Sequence, residues 1–544
     1  MNFLSNLQSA FLDYITKKWG SSAPTDNIDF ILQCTTGREF GDIATNCAMV
    51  LARPLKQNPQ EIARTIQREF SHPAIARLEI AGPGFINFFL TDHALVTIAQ
   101  ELFLQKNTYF KLPDTTPRIH FNIEYVSANP TGPLHLGHGR GGIIGDVLSN
   151  VLKFVGHTVT REFYINDAGS QIDILGASFK ARCAELLGQT VVFPENGYQG
   201  DYLIPLAQRC VEEHGAALLE KPDSFFAEYA KTQLLHHIQQ VLTQYGITFD
   251  TWFSEKTLHT GNAIHTALKL LEQQHQTYIN DGALWFKSTQ YGDDKDRVLV
   301  KSDGELTYAA ADIAYIQNKL QRGAQKLIYI LGQDHHSYVT RLKGFMQALG
   351  NRPEDLQVIV YQLVTLLEDG EALRMSKRAG RMITLEDIIN LVGTDVARFF
   401  YLQRKSDAHL EFDLAKAAQK TDENPVYYLQ YAYVRARSIL EKAPYTITIK
   451  DTEQLGAEEW VLIKKIASGV SLLHTIARTY SNTHLLTYYT LELAHTLHAY
   501  YASCRVIDQH NESKTRARLL AIQLVREQFE RCLELMGISC PSAM

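Results

Sequence analysis

Long apolar runs are missing from this sequence. Among its 544 residues none reaches the roughly 18 consecutive apolar positions that a membrane span needs. The opening Met1-Asn2-Phe3-Leu4-Ser5-Asn6-Leu7 lacks a basic lead and a continuous apolar core, so it reads as an amphipathic helix rather than a secretory signal. Paired cysteines are missing too. The seven cysteines, at 34, 47, 183, 210, 504, 532 and 540, form no C-x-x-C pair. That argues against a zinc ribbon and a disulfide framework, and it leaves reduced, mostly buried thiols of a cytoplasmic protein. There is no excess of positive charge. With 53 Lys/Arg against 59 Asp/Glu the net charge is −6, which argues against a general nucleic-acid binder. A local basic groove could still contact RNA. From Lys420 onward there are 14 Lys/Arg against 13 Asp/Glu, so the acidic excess lies in the earlier part. Internal repeats and low-complexity tracts are also lacking.

What is present fits a globular chain of several domains, with 45% hydrophobic and 21% charged residues. The first part, 1–114, reads as a small α+β module. Residues 43–51 and 60–70 have helical periodicity, and 81–90 read as a turn followed by an alternating strand. Leu112-Pro113-Asp114-Thr115-Thr116-Pro117 is a polar linker. The second part, 115–412, is α/β. A strand over 119–126 is followed by an Asn-Pro-Thr-Gly-Pro turn and a helix beginning near His135, the opening unit of a doubly wound sheet. Further strands are expected at 159–165, 298–300, 326–331 and 357–361, with a mostly helical insertion over about 170–280. The third part, 413–544, is helical, with Leu486, Leu493, Leu497, Tyr500 and Cys504 on one face. Its many tyrosines are mostly core, and a few are available to stack on unpaired bases.

Two motifs carry chemistry. His135-Leu136-Gly137-His138 stands at the expected helix start. Gly137 leaves room for a nucleotide against the backbone, and the helix N-terminus offers free N–H groups and positive potential. His135 and His138, three apart, share a face and can donate to phosphate oxygens as charge builds on the α-phosphorus. The second motif is Arg374-Met375-Ser376-Lys377-Arg378, on a polar loop that can close over a triphosphate, with Lys377 as a mobile cation. In this order the two read as halves of an ATP site that activates a carboxylate as its adenylate. Each alone is weak. The adjacent His335-His336 pair would point to opposite faces of a strand, so it does not read as a metal site.

The extended string Glu124-Tyr125-Val126-Ser127-Ala128-Asn129-Pro130-Thr131-Gly132-Pro133-Leu134-His135-Leu136-Gly137-His138 resembles arginyl-tRNA synthetases, class I enzymes that join arginine to its tRNA. The likeness extends along nearly the whole chain. It includes 249–255, 291–300, Leu306-Thr307-Tyr308-Ala309-Ala310-Ala311-Asp312, 423–432, 535–538 and the N-terminal Phe40-Gly41-Asp42-Ile43-Ala44-Thr45-Asn46. One departure is Arg374, where the class usually has lysine. The resemblance implies a Rossmann-like class I core between a small N-terminal domain, which touches the outer corner of the tRNA, and a C-terminal anticodon-binding bundle. It implies that Asp312 and Glu124 hold the guanidinium, that Tyr308 packs on its plane, and that Ser127 and Asn129 hold the α-amino end. Gln333 would complete the pocket.

The implied reaction makes arginyl-adenylate and pyrophosphate from L-arginine and ATP. Arginine then passes to the terminal adenosine of tRNA(Arg), on the 2′ side by the class rule. Lys377 and Arg374 would face the pyrophosphate, and Met375 and Ser376 would line the same ATP site. Magnesium accompanies ATP, held by phosphates without a protein metal site. By the same resemblance, activation of arginine requires bound tRNA. A monomer working in the cytoplasm, away from membranes, is expected. An editing domain is unnecessary, because a site of paired carboxylates strongly rejects amino acids without a guanidinium. Two other readings stay open: a nucleotidyltransferase of the same superfamily with another acceptor, which would usually be shorter, and a non-catalytic tRNA binder on a synthetase scaffold. The second would lose His135, His138 or Lys377, and all three are present.

Overall fold

The computed structural model describes residues 2–20, 23–25, 28–34, 40–335, 338–368, 371–372, 383–421 and 423–544. Its centre is a five-stranded sheet. We label the strands β1 (His120–Glu124), β2 (Thr158–Ile165), β3 (Thr251–Ser254), β4 (Lys326–Gly332) and β5 (Leu356–Tyr361). Their order is β5-β4-β1-β2-β3, and every neighbouring pair is parallel. Parallel strands need crossovers, which here carry helices to both faces. The flanking helices used below are α1 (Leu136–Val155), α2 (Tyr308–Gln321) and α3 (Tyr338–Ala348). Strand β4 shows the two faces in its alternation. Ile328 and Ile330 join the apolar core that contains α1, while Leu327 and Tyr329 join the core of α2 and α3. The chain reverses direction across the sheet between β1 and β4, and ligand crevices form outside the strand ends at such a point.

Helix α1 lies tight against the sheet because it is rich in glycine. A Cβ on Gly145 would come within 2.4 Å of the Tyr125 ring, and one on Gly141 within 2.6 Å of Tyr361. The expected strand over 119–126 is shorter, ending at Glu124, because Val126 and Ser127 turn into positive φ, +67° and +40°. A β-branched valine there is strained, and such strain collects at functional sites.

The expected helical insertion over 170–280 divides in two. Helices Ser170–Leu186, Leu203–His214 and Asp223–Gln244 pack round their own small core, and the chain then returns to the sheet as β3. The second piece is not helical throughout: it carries a three-stranded antiparallel sheet, Thr277–Asn280, Ala283–Phe286 and Arg297–Val300. The strand expected at 298–300 therefore exists but stands outside the main sheet. The four-residue β3 is too short for its periodicity to be read.

Ahead of the core, a four-stranded antiparallel sheet packs with helices Phe3–Trp19, Cys47–Leu55, Pro59–Glu69 and Asp92–Gln105. The helical reading of 43–51 is correct only from Cys47, since Ile43–Thr45 is a strand. The alternating strand appears at Phe85–Leu90, although all but its first residue are buried. After the core come helices Pro425–Lys442, Ala457–Thr479, Leu485–Ser503 and Glu512–Met536. Helix Ala457–Thr479 is long and apolar enough to cross a membrane by composition, but most of it is buried in the bundle. Its Lys464 forms a buried ion pair with Asp42 of the N-terminal module.

The bundle is tied to α1 through Arg398, which is fully buried. It donates to the carbonyls of Met536 and Tyr245 and pairs with Asp146 of α1. A side chain on Gly537, at φ +67°, would run into this guanidinium, which gives the 535–538 stretch a packing role.

Candidate active site

The crevice at the strand ends holds a cavity of about 620 Å³. Its walls come from the β1 end (Glu124, Ser127, Asn129), the α1 start (His135, His138), β2 and its exit (Tyr164, Asn166), Glu255 after β3, and helices α2 (Tyr308, Asp312) and α3 (Tyr338, Arg341). Seven of the residues expected for substrates, Glu124, Ser127, Asn129, His135, His138, Tyr308 and Asp312, thus share one space. Gln333 does not line it; its side chain is exposed beyond the end of β4. Arg374, Met375, Ser376 and Lys377 lie outside the described residues, as does His336. The described Thr384, a few residues further on in sequence, forms a β-bridge with His135.

His135 is the N-cap of α1. Its Nδ1 accepts from the Gly137 N–H at 3.1 Å, and His138 Nδ1 accepts from the His135 N–H at 3.1 Å. The two rings stack with centroids 3.7 Å apart. An Nδ1 that accepts carries no proton, so each neutral ring keeps its proton on Nε2. The capping box therefore fixes the tautomer that makes both rings Nε2–H donors. Burial, and then His135, push the His138 pKa down to about 3, so His138 is neutral over the working range. A Cβ on Gly137 would meet the His135 ring at 3.0 Å, so this glycine makes room for the histidine.

Asp312 sits one turn into α2, on the face it shares with Tyr308. Its carboxyl is pushed up to about 8 by burial first and then by Glu255 and Glu124, with Arg341 acting in the opposite sense. Glu255 is also raised, chiefly by burial. It lies beside the Tyr164 hydroxyl and 3.6 Å from His259 Nε2, and the Asn166 amide, in the orientation that satisfies its neighbours, donates to it at 3.0 Å. Two carboxyls held above their ordinary range in one cavity would both be favoured in their charged form by a cation brought between them.

Glu124 is different. One of its oxygens takes the Nζ of Lys319 at 2.5 Å, and the other accepts from Ser127 Oγ at 3.2 Å. Lys319 is fully buried between the rings of Tyr315 and Tyr329. Behind it, Glu162 takes Tyr315, Asn122 and a bidentate Arg322. The carboxylate expected to grip a guanidinium therefore already has a cation of its own. Ser127 Oγ also accepts from the Tyr164 N–H, and Asn129 donates to Gln171 at 2.9 Å. Tyr308 stands at the mouth, 68% exposed, so a side chain can slide beneath its ring.

Reading the sequence missed Glu255, Lys319, Tyr338 and Arg341. Lys319 carried a signal: it falls seven residues after Asp312, on the same helical face. The others depend on contacts between distant segments. Among the described residues no three His, Cys, Asp or Glu side chains converge as a metal cage.

Comparison with known proteins finds matches along most of the chain. Residues 98–398 match the family model described as tRNA synthetases class I (R), catalytic domain. Residues 5–90 match the arginyl tRNA synthetase N terminal domain, and 429–544 the DALR anticodon binding domain. An arginine–tRNA ligase of Moorella thermoacetica is 41% identical over 95% of this chain and 94% of its own length. One from Anoxybacillus flavithermus is 40% identical over the whole of both chains. The Thermus thermophilus arginyl-tRNA synthetase structure superposes with a TM-score of 0.78 at 19% identity, over 99% of this chain and 100% of that one, a likeness of fold.

Proposed function

The chain belongs to the arginyl-tRNA synthetase family, and from that premise we propose that arginine is activated in the cavity between the ends of β1 and β4. The reaction is the ATP-dependent attachment of L-arginine to tRNA(Arg). An arginine carboxylate oxygen attacks the α-phosphorus of ATP and pyrophosphate leaves. A ribose hydroxyl of the terminal adenosine, the 2′ by our reading, then attacks the adenylate carbonyl and AMP leaves.

In this reading Asp312 and Glu255 hold the guanidinium, and Tyr308 covers its plane. Glu124, already neutralised by Lys319, positions Ser127 rather than gripping the substrate side chain. Ser127 and Asn129 face the α-amino end. His135 and His138 donate from Nε2 to the ATP phosphates, and Gly137 keeps their rings in place. Arg374, Met375, Ser376 and Lys377 complete the ATP site by sequence alone, with Lys377 toward the pyrophosphate. Gln333 joins the arginine site by resemblance alone. Magnesium enters with ATP and is held by its phosphates. The chain acts as a monomer in the cytoplasm, with domains 1–114, 115–412 and 413–544 serving tRNA contact, catalysis and anticodon binding.

The observation that carries the substrate assignment is the pair of raised carboxyls, Asp312 and Glu255, facing one cavity with the two histidines at its rim. Pyrophosphate exchange with tRNA present tests it. Arginine should support exchange, and citrulline, its neutral isostere, should be poorer by about 10³-fold or more. Equal rates with both would refute the assignment.

For the tRNA, the bundle offers an exposed aromatic group. Arg435 lies over the rings of Tyr431 and Tyr501 at 5.3 and 4.0 Å, and His498 stacks on Tyr431. Such a group suits unpaired bases. Tyr431→Ala should raise KM for tRNA about tenfold, from the usual ~1–3 kcal/mol per stacked base. KM for arginine should move less than about twofold, and the reverse pattern would remove Tyr431 from the tRNA surface.

A further inference from the structure

The 291–300 stretch leads into the small antiparallel sheet, outside the five-stranded core sheet, yet its chemistry reaches the cavity. The Asp293 side chain is 4% exposed and accepts from Ser288 Oγ at 2.6 Å and from Arg297 Nε and Nη2 at 2.8 and 2.7 Å. It also stands 3.6 Å from Arg341 Nε, at ion-pair distance. Arg341 lies on α3, three residues after Tyr338, and its guanidinium sits over the Tyr338 ring at 4.9 Å. The Tyr338 hydroxyl in turn donates to Asp312 Oδ2. Residues 293, 341, 338 and 312 thus form one chain of contacts running from the insertion to the cavity.

We propose that Tyr338 is a positioning residue for Asp312, braced by Arg341 and Asp293, so that the small insertion sheet sets the geometry of arginine recognition. This rests on the reading that Asp312 binds the guanidinium. The physical argument concerns orientation. A carboxylate at the start of a helix can rotate about its side-chain bonds, and a bidentate partner needs its plane fixed. The Tyr338 bond holds Oδ2 and so fixes the plane of the carboxyl. The Tyr338 ring is itself held against rotation, because Arg341 rests on it and Arg341 is tethered to Asp293. The hydroxyl also stabilises the ionised form of Asp312, the form that can pair with a cation. Around the Asp312 carboxyl the other charged and titratable groups are Glu124 from β1, Glu255 after β3, Tyr164 from β2, Tyr329 from β4 and Arg341 from α3. Among the described residues Arg341 is the one cation facing Asp312 directly, while Lys319 acts through Glu124.

Tyr338→Phe tests this while keeping the ring under Arg341. Aminoacylation should show KM for arginine up by about tenfold or more, as for a lost hydrogen bond to a charged group. The kcat should change less than about threefold, and KM for ATP should stay put. The pH at which kcat/KM for arginine levels off should move upward, because the carboxylate has lost a donor. Arg341→Met and Asp293→Asn should shift KM for arginine in the same direction by smaller factors. An unchanged KM and pH profile in Tyr338→Phe would overturn the proposal. So would equal losses in arginine and ATP use without a pH shift, which mark a general packing defect. Asp312→Asn separates the two layers. If it leaves KM for arginine unaltered, the underlying assignment fails. If it abolishes arginine use while Tyr338→Phe is silent, only the proposal fails.

Discussion

Asp312→Asn is expected to lower kcat/KM for arginine by about 10³-fold, with KM for ATP moved less than about twofold. The substitution keeps size and hydrogen bonding and removes one charge. Truncating one side of a desolvated charge pair costs ~3–5 kcal/mol, and each 1.36 kcal/mol is tenfold. The same carboxyl also sets a pH dependence. In the free enzyme its pKa is about 8, raised by burial and then by Glu255 and Glu124. Below that pH Asp312 is protonated and neutral, and arginine must displace the proton to bind. The kcat/KM for arginine should therefore climb with pH, by up to roughly tenfold per unit, and level off near pH 8. Calorimetry in buffers of different ionisation enthalpy should record proton release when arginine binds at pH 7. In Asp312→Asn this release should shrink sharply. A flat pH profile in the parent enzyme would contradict the carboxylate's role.

His138→Ala should lower kcat by ~10²–10³, the usual cost of one preorganised donor to a developing negative charge. KM for arginine should change little, because His138 faces the phosphates in this reading rather than the amino acid. His138→Asn, which keeps an N–H donor, should recover part of the loss. The pH profile distinguishes this residue from Asp312. With its pKa near 3, His138 has no titration to contribute between pH 5 and 9. Its variants should move the rate at all pH values together and leave the midpoint in place. A variant that lost activity only below pH 7 would mean that the imidazolium, not the neutral Nε2–H ring, does the work.

Local chemistry made much of this legible in advance. His135 announces a helix start because the Asn-Pro-Thr-Gly-Pro turn ends there, and α1 begins one residue later. Tyr308 and Asp312 share a face because their spacing is helical, and α2 begins at Tyr308. The features that escaped are relations between distant segments. Glu124 looked like a free carboxylate because Lys319, 195 residues away, supplies its partner. Glu255 looked like the end of a family-like stretch, because nothing local says that β3 returns to the sheet beside β2. Tyr338 and Arg341 follow a strand end in an ordinary helix, and their importance lies in what they touch. Gln333 was placed by resemblance alone. Its side chain is exposed, outside the cavity wall, where the chain leaves β4 for a short 3-10 helix, Gln333–His335.

The most direct measurement is aminoacylation of total tRNA with each of the twenty labelled amino acids, with ATP and magnesium present. Arginine alone should become attached to tRNA. Attachment of a different amino acid would overturn the carboxylate pocket while leaving the ATP site standing. No attachment by folded protein that binds ATP would contradict catalysis itself.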